Sequence, residues 1–457
     1  MNSDIAPSTG TAEGQAGKRI VVIDQTAPGG VTATGALKET YFGNIPAERL
    51  LMVHDTGMLE RHTLRAGLNP RFWNTRVYRG IGQPLGLIRA FKPDILIYRP
   101  LPSAPLLHHL ACTLAIEDRL PLLLWFMDDW PERLRATNPG EADAIEHDLR
   151  RLAERAIGCF AISASMASAF HDRYGGPPYQ IAHNGIRPED WSFPRPLRSE
   201  NQGILIRYSG GLAPDMSLDS VISLARTVSD LVIEGKSVRL EIRTQKHWLH
   251  RYGQLFAKLR GISISPAGGS QAEYRRWIAG ADIGVVAYNF DEETIRYTRY
   301  SFANKVPELM AAGSAVLAIG PSEIETIRYL QEHGVAAIAD RPDVLPSVLL
   351  SLLNDPAKRR ALAVTAQDHA KLLILDSVRQ KMDAFLSGPS RTDEGAPDAI
   401  NLIRNAPPAF GWRALDWLHI RVRHLKWTFD RFWRQVVSRS RIQYPANHGL
   451  KGSRHGK

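Results

Sequence analysis

Short continuous apolar runs alternate with helix-length stretches through most of this 457-residue chain. In chain order the runs are residues 19–24, 50–54, 94–98, 122–127, 159–163 and 180–184. They resume at 204–209, 238–243, 262–265, 282–287, 315–319 and 336–339. Continuous apolar runs, rather than alternation of apolar and polar positions, predict strands buried on both faces. Helix-length spacers between them predict parallel sheets covered by helices. The break between the two series is rich in Pro and Arg and includes Pro188, Pro194 and Pro196. Proline resists both helix interior and central strand, so this stretch reads as a linker. The pattern therefore predicts an α/β chain of two doubly wound, Rossmann-like domains facing a cleft. They would span 19–190 and 200–386, with ligands outside the carboxyl ends of the strands. A helix near 371–385 would close the second.

The flanks follow a different pattern. Residues 1–18 are small and polar and lack the apolar core of a signal peptide, which predicts a disordered leader. Residues 387–410 are rich in Gly, Pro, Ser and Asp and read as a flexible linker. Between 411 and 440, Leu415, Leu418, Val422, Leu425, Phe429, Phe432 and Val436 recur at spacings of three and four, a helical stripe. Arg and Lys surround it, and Trp412, Trp417, Trp427 and Trp433 widen it. Such a helix suits an anionic membrane surface, with docking on the chain's own body or pairing with another subunit as the alternatives. Residues 441–457 read as a disordered tail.

Charge sharpens that division. The formal net charge is +10, and residues 401–457 alone carry 12 Lys/Arg against 2 Asp/Glu. The rest of the chain is neutral, so the high pI describes the tail and not the body. No compact nucleic-acid-binding motif accompanies it, and no nucleic-acid partner is expected. No apolar run approaches the roughly 18 residues of a spanning helix. The two cysteines, Cys112 and Cys159, have no metal spacing and read as reduced, buried thiols. A cytoplasmic location is expected, peripheral on the inner face of the plasma membrane if the tail binds it.

The chemistry concentrates in residues 301–320, which read as a short helix, a glycine stop and a buried strand. Lys305 and Glu308 lie three apart and share a helix face near its start. One cation and one carboxylate there suit a nucleotide diphosphate: the cation faces phosphate, the carboxylate accepts from ribose hydroxyls. Elsewhere, Gly29 and Gly30 form a loop after the first strand, where a backbone can approach phosphate closely. Asp128 and Asp129 end an apolar strand, as ligand groups of a parallel sheet do. Gly210 and Gly211 follow the first strand of the second half, and Arg243 ends the next.

Strand, loop, Ser301–x–x–x–Lys305–x–x–Glu308 and strand resemble the donor-binding core of a GT-B glycosyltransferase, in particular glycosyltransferase family 4. Residues 181–186, with Asn184 and Gly185, resemble the family's Pro-Asn-Gly turn that closes the first domain. The resemblance covers residues 19–386. It implies a metal-independent, retaining transferase with no cofactor, using a nucleotide-diphosphate sugar. Lys305 would stabilise the departing diphosphate, Glu308 would hold the ribose and Asp128 would orient the acceptor. Gly29, Gly30, Asp129, Asn184, Gly210, Gly211, Arg243, Ser301 and Asn304 would line the substrates. A glycan or lipid-linked acceptor is expected, in bacterial cell-surface polysaccharide synthesis. The chain departs from the family at three points. Gly210, Gly211 and Leu212, then Met216 and Ser217, stand where many members have Gly-Arg-Leu followed by a lysine, Tyr300 stands where a first glutamate is common, and Met127 or Asp128 takes a histidine's place. A degenerate, membrane-bound scaffold and a nucleotide-sugar 2-epimerase are the alternatives. Clustered aspartates also resemble the metal-binding motif of GT-A transferases, but the repeated doubly wound pattern speaks against a single mixed domain.

Overall fold

A computed structural model describes residues 17–26, 33–54, 73–76, 82–101, 105–194 and 203–388. The leader to residue 16, the glycine pair Gly29–Gly30 and everything from residue 389, including the basic stripe, lie outside the described residues.

The first sheet contains β1 (Ile20–Ile23), β2 (Leu50–His54), β3 (Trp73–Arg76), β4 (Ile95–Tyr98), β5 (Leu122–Phe126), β6 (Ala156–Ala161) and β7 (Tyr179–Ile181). Its order is β3-β2-β1-β4-β5-β6-β7. The second contains β8 (Ile204–Ser209), β9 (Val238–Thr244), β10 (Ile262–Pro266), β11 (Ile283–Ala287), β12 (Ala315–Ile319) and β13 (Ala337–Ala339), in the order β10-β9-β8-β11-β12-β13. Every neighbouring pair is parallel. Each sheet is doubly wound, with one switch point: between β1 and β4 in the first, and between β8 and β11 in the second. A crevice opens at such a point because the connections on its two sides leave in opposite directions.

The expected apolar runs correspond to twelve of these strands. The exception is β3, of sequence Trp-Asn-Thr-Arg, which among the described residues is an edge strand paired with β2 alone and so needs no continuous apolar run. The central strands β1, β2, β4, β5, β11 and β12 are buried along their whole length. Helices cover both faces, which is why the runs are apolar at every position rather than at alternate ones.

One boundary differs from expectation. The helix Leu375–Leu386 packs on the first domain instead of closing the second. Phe385 meets Phe160 edge to face, with ring centroids 5.7 Å apart, and Gly158 leaves room for its ring. Lys18 Nζ donates to the Phe385 carbonyl at 2.8 Å, and Lys381 Nζ to the Ile181 carbonyl at 3.1 Å. The chain enters this helix past the Asn184–Gly185 turn, where Ile186 N–H donates to Leu373 O and Leu375 N–H to Ile186 O. The apolar stripe Leu375, Val378, Met382 and Leu386 is buried in a core shared with the strands of the first sheet.

The two domains are pinned along the cleft. Asn184 Nδ2 donates to Phe302 O at 2.8 Å, and Ser163 Oγ to Tyr300 O at 2.8 Å. Arg133 pairs with Asp215 at 2.7 Å, and Arg275 with Asp190 at 3.2 Å. Among the described residues no helix is long and apolar enough to cross a membrane.

Gly185 tests the return crossing. A Cβ there would meet the Leu373 carbonyl oxygen at 2.5 Å and its carbon at 3.0 Å, and backbone cannot swing aside as a side chain can. Gly185→Ala is expected to cost about 1–3 kcal/mol, the usual cost of overpacking. A denaturant midpoint equal to wild type would show that the crossing is not tightly held.

Candidate functional site

The β8–β11 switch point is built from four stretches. Strand β8 delivers Tyr208, Ser209, Gly210 and Gly211. Tyr208 is buried and its hydroxyl donates to Gly211 O at 2.7 Å. Ser217 Oγ donates to the same carbonyl at 2.9 Å, which fixes the glycine loop. The helix Lys305–Ala311 points its first residue at this loop. Lys305 Nζ donates to the Ser209 carbonyl and lies 4.7 Å from the centre of the Tyr208 ring. A Cβ on Gly210 would meet that ammonium, so glycine lets the Lys305 side chain sit where it does.

Lys305 and Glu308 do not pair with each other. Glu308 Oε2 instead accepts from the Tyr274 hydroxyl at 3.1 Å, on the helix Gln271–Ala279. Among the described residues no carboxylate lies within ion-pair distance of Lys305. Burial lowers the Lys305 ammonium to about 8, against a smaller opposing pull from Glu308. Burial raises the Glu308 carboxyl to about 7, against its Tyr274 hydrogen bond and the charges of Lys305 and Arg275. Each charged form thus carries a desolvation cost that its neutral partner, the Ser209 carbonyl or the Tyr274 hydroxyl, offsets only in part. A ligand offering anionic oxygens to Lys305 and hydroxyl donors to Glu308 would offset it.

The other expected residues sort by what they touch. Arg243, next to the end of β9, lies 4.3 Å over the Trp277 ring. Ser301 is 9 % exposed and its hydroxyl has no partner among the described residues. Asn304 is half-buried just ahead of Lys305 and makes no capping bond. Asn184 is committed to Phe302 O, a tie between domains. Asp129 is buried in the first domain, where it caps the helix Trp130–Arg135 and holds Arg173 through two 3.0 Å contacts. Burial lifts its carboxyl to about 6 against that pairing. Asp128 faces the second domain. Burial raises its carboxyl, opposed by Arg99, Arg133 and a hydrogen bond from Tyr297.

At the β1–β4 switch point lies a charged cluster that the sequence pattern did not single out. Asp24 follows β1 and Arg99 follows β4; they form a bidentate pair, both contacts at 2.7 Å. Lys38 adds a second cation at 2.8 Å. Burial would raise the Asp24 carboxyl, but the two cations together bring it down to about 2. The only signal available was position: each polar residue directly follows an apolar strand. Tyr274 gave no signal, being one aromatic on an amphipathic helix.

No family model matches the chain, and no curated protein does. Among solved structures, Anabaena HepE in complex with UDP-glucose is similar with a TM-score of 0.59 at 15% identity, over 81% of this chain and 99% of that one. A structure described as trehalose-6-phosphate from E. coli bound with UDP-2-fluoro glucose gives 0.56 at 12% identity, over 80% and 98%. WaaG, a glycosyltransferase involved in lipopolysaccharide biosynthesis, gives 0.59 at 14% identity, over 81% and 100%. The likeness establishes the GT-B arrangement of the two domains.

Glu308 sets a measurable pH dependence. Between about pH 4.5 and 7 the folded chain keeps a proton that the unfolded chain has lost, so this group's contribution to stability falls as pH rises through that window. Glu308→Gln is expected to flatten that fall in Tm relative to wild type. An identical slope in the two proteins would place the Glu308 carboxyl in water.

Proposed function

We propose that this chain is a retaining, metal-independent glycosyltransferase of the family 4 type. It would move a hexose from a nucleotide-diphosphate sugar to a glycan or lipid-linked acceptor. The observation that carries the reading is the Lys305 ammonium at the β8–β11 switch point, half-buried and without a carboxylate partner among the described residues. That HepE and the E. coli protein were solved with UDP-sugars supports a nucleotide sugar as the ligand of this arrangement.

In this reading the diphosphate lies against Gly210 and Gly211, with Lys305 at its oxygens. As the sugar–phosphate bond breaks, negative charge grows on the departing diphosphate. A cation already desolvated stabilises that charge more than one in water, and with no reorganisation at the moment of reaction. Ribose hydroxyls donate to Glu308, which favours its ionised form. Arg243 and Asn304 flank the donor, and the free hydroxyl of Ser301 faces the same region. Gly29 and Gly30 approach from the first domain. Asp128, beside Tyr297 and Arg99, orients the acceptor hydroxyl. Domain contacts through Asn184 and Arg133 keep water from competing for the donor.

A second reading is a nucleotide-binding scaffold without turnover. Ser217 favours it: where the family carries a second cation, this chain uses a serine to fix the Gly211 carbonyl.

The test is a panel of UDP-, GDP- and ADP-sugars against the full chain, read by thermal shift and by release of nucleoside diphosphate. One donor is expected to raise Tm and to be slowly hydrolysed. Lys305→Ala should lower release about 10²–10³-fold, the effect of removing one transition-state donor. Glu308→Ala should weaken nucleotide affinity about tenfold or more, as loss of hydrogen bonds to a charged group does. Binding without release would leave the scaffold. No shift with any nucleotide sugar would defeat both readings.

A further inference from the structure

In the first domain, His108, Cys112 and Asp148 bring one nitrogen, one sulfur and one carboxylate oxygen within 4.8 Å of one another. His108 and Cys112 lie four apart on the helix Pro105–Cys112 and so share a face. Asp148 comes from the facing helix Pro139–Arg155. His108 is buried, at 4 % exposure. Its Nε2 lies 3.3 Å from Asp148 Oδ2 and 3.7 Å from Cys112 Sγ. Its Nδ1 lies 2.9 Å from the Tyr98 hydroxyl, and its ring meets Trp130 edge to face at 5.1 Å.

The arrangement differs from a thiol nucleophile with its base. There the acid orients the imidazole from the nitrogen opposite the thiol. Here thiol and carboxylate both face Nε2, and the opposite nitrogen goes to a neutral phenol. Convergence of N, S and O on one point is instead what a metal ion requires. For tetrahedral zinc, with bonds of about 2.0–2.3 Å, neighbouring ligand atoms stand roughly 3.3–3.6 Å apart. The nitrogen–oxygen and nitrogen–sulfur separations, 3.3 and 3.7 Å, lie close to that range, and the third lies within 4.8 Å, so a small side-chain adjustment closes the site. Tyr98 supplies the outer contact that fixes ring orientation when the other nitrogen is metallated.

The helix itself adds an independent sign. Directly after Cys112 it widens into a π-turn, Thr113–Glu117, with Asp118 N–H donating to Thr113 O. Such turns are rare in helices and gather at functional positions.

We propose that His108 Nε2, Cys112 Sγ and Asp148 Oδ2 form a binding site for a borderline-soft divalent cation, zinc by preference. Binding displaces the thiol proton to solvent and leaves a thiolate on the metal. Three protein ligands leave a fourth position for water. The ion joins two helices behind the ends of β4 and β5, next to Tyr98 and Trp130. It stands apart from the proposed donor site and is no part of its chemistry.

The test uses the full-length, untagged, reduced chain, stripped by chelator and titrated with Co²⁺ alone. One equivalent is expected to give a sulfur-to-cobalt charge-transfer band that Zn²⁺ abolishes. Cys112→Ser should lose the band, Cys159→Ser should keep it, and Asp148→Asn should weaken Co²⁺ affinity at least tenfold. Asp148 is partly exposed, so its variant carries the test if Cys112→Ser does not fold. No band in the wild-type chain, a band surviving in folded Cys112→Ser, or unchanged affinity in Asp148→Asn would overturn the site.

Discussion

A half-buried ammonium with no carboxylate at ion-pair distance among the described residues is the constraint on which the second domain's cleft edge depends. Lys305 is held by a carbonyl and an aromatic face, and neither neutralises it. Leaving a charge in that condition is expensive in a low-dielectric setting, and folding alone gives no reason to keep it. Its surroundings are shaped to it. Gly210 has no side chain to crowd it, Ser217 and Tyr208 fix the loop beside it, and Glu308 is turned to Tyr274 rather than to Lys305. Such unsatisfied electrostatics gather where a ligand completes the arrangement.

The contrast between the two switch points reinforces this. In the first domain Asp24 is surrounded by Arg99 and Lys38 and is neutralised from within. In the second, cation and carboxylate are kept apart. The first cluster ties the ends of β1 and β4 to the helix Ala33–Phe42; the second offers charge. Ties through Asn184, Ser163 and Arg133, together with the returning helix Leu375–Leu386, hold the two edges toward one another.

Much of the fold was legible because parallel strands buried on both faces leave an unmistakable record of apolar runs. Edge strand β3 left none, since among the described residues one of its sides is unpaired and Trp-Asn-Thr-Arg need not be apolar throughout. The return of residues 375–386 was not legible either, because an apolar stripe records that a face is buried but not against what. At the site, Lys305, Glu308 and the glycines were visible as spacing. The split destinations of Lys305 and Glu308 were not: three residues on a helix suggest a pair, and only tertiary contacts with Ser209 and Tyr274 separate them. Asp128 and Asp129 show the same limit, since adjacent residues at a strand end point to opposite sides. Cys112 carried no metal spacing of cysteines, because its companions are a histidine one turn back and an aspartate on another helix.

The most direct measurement is a crystal structure of the full chain with a bound nucleoside diphosphate. The diphosphate is expected beside Gly210 and Gly211 with Lys305 Nζ at hydrogen-bond distance from its oxygens, and the ribose at Glu308. A diphosphate seated elsewhere, with Lys305 still bound only to Ser209, would contradict the role given to this lysine.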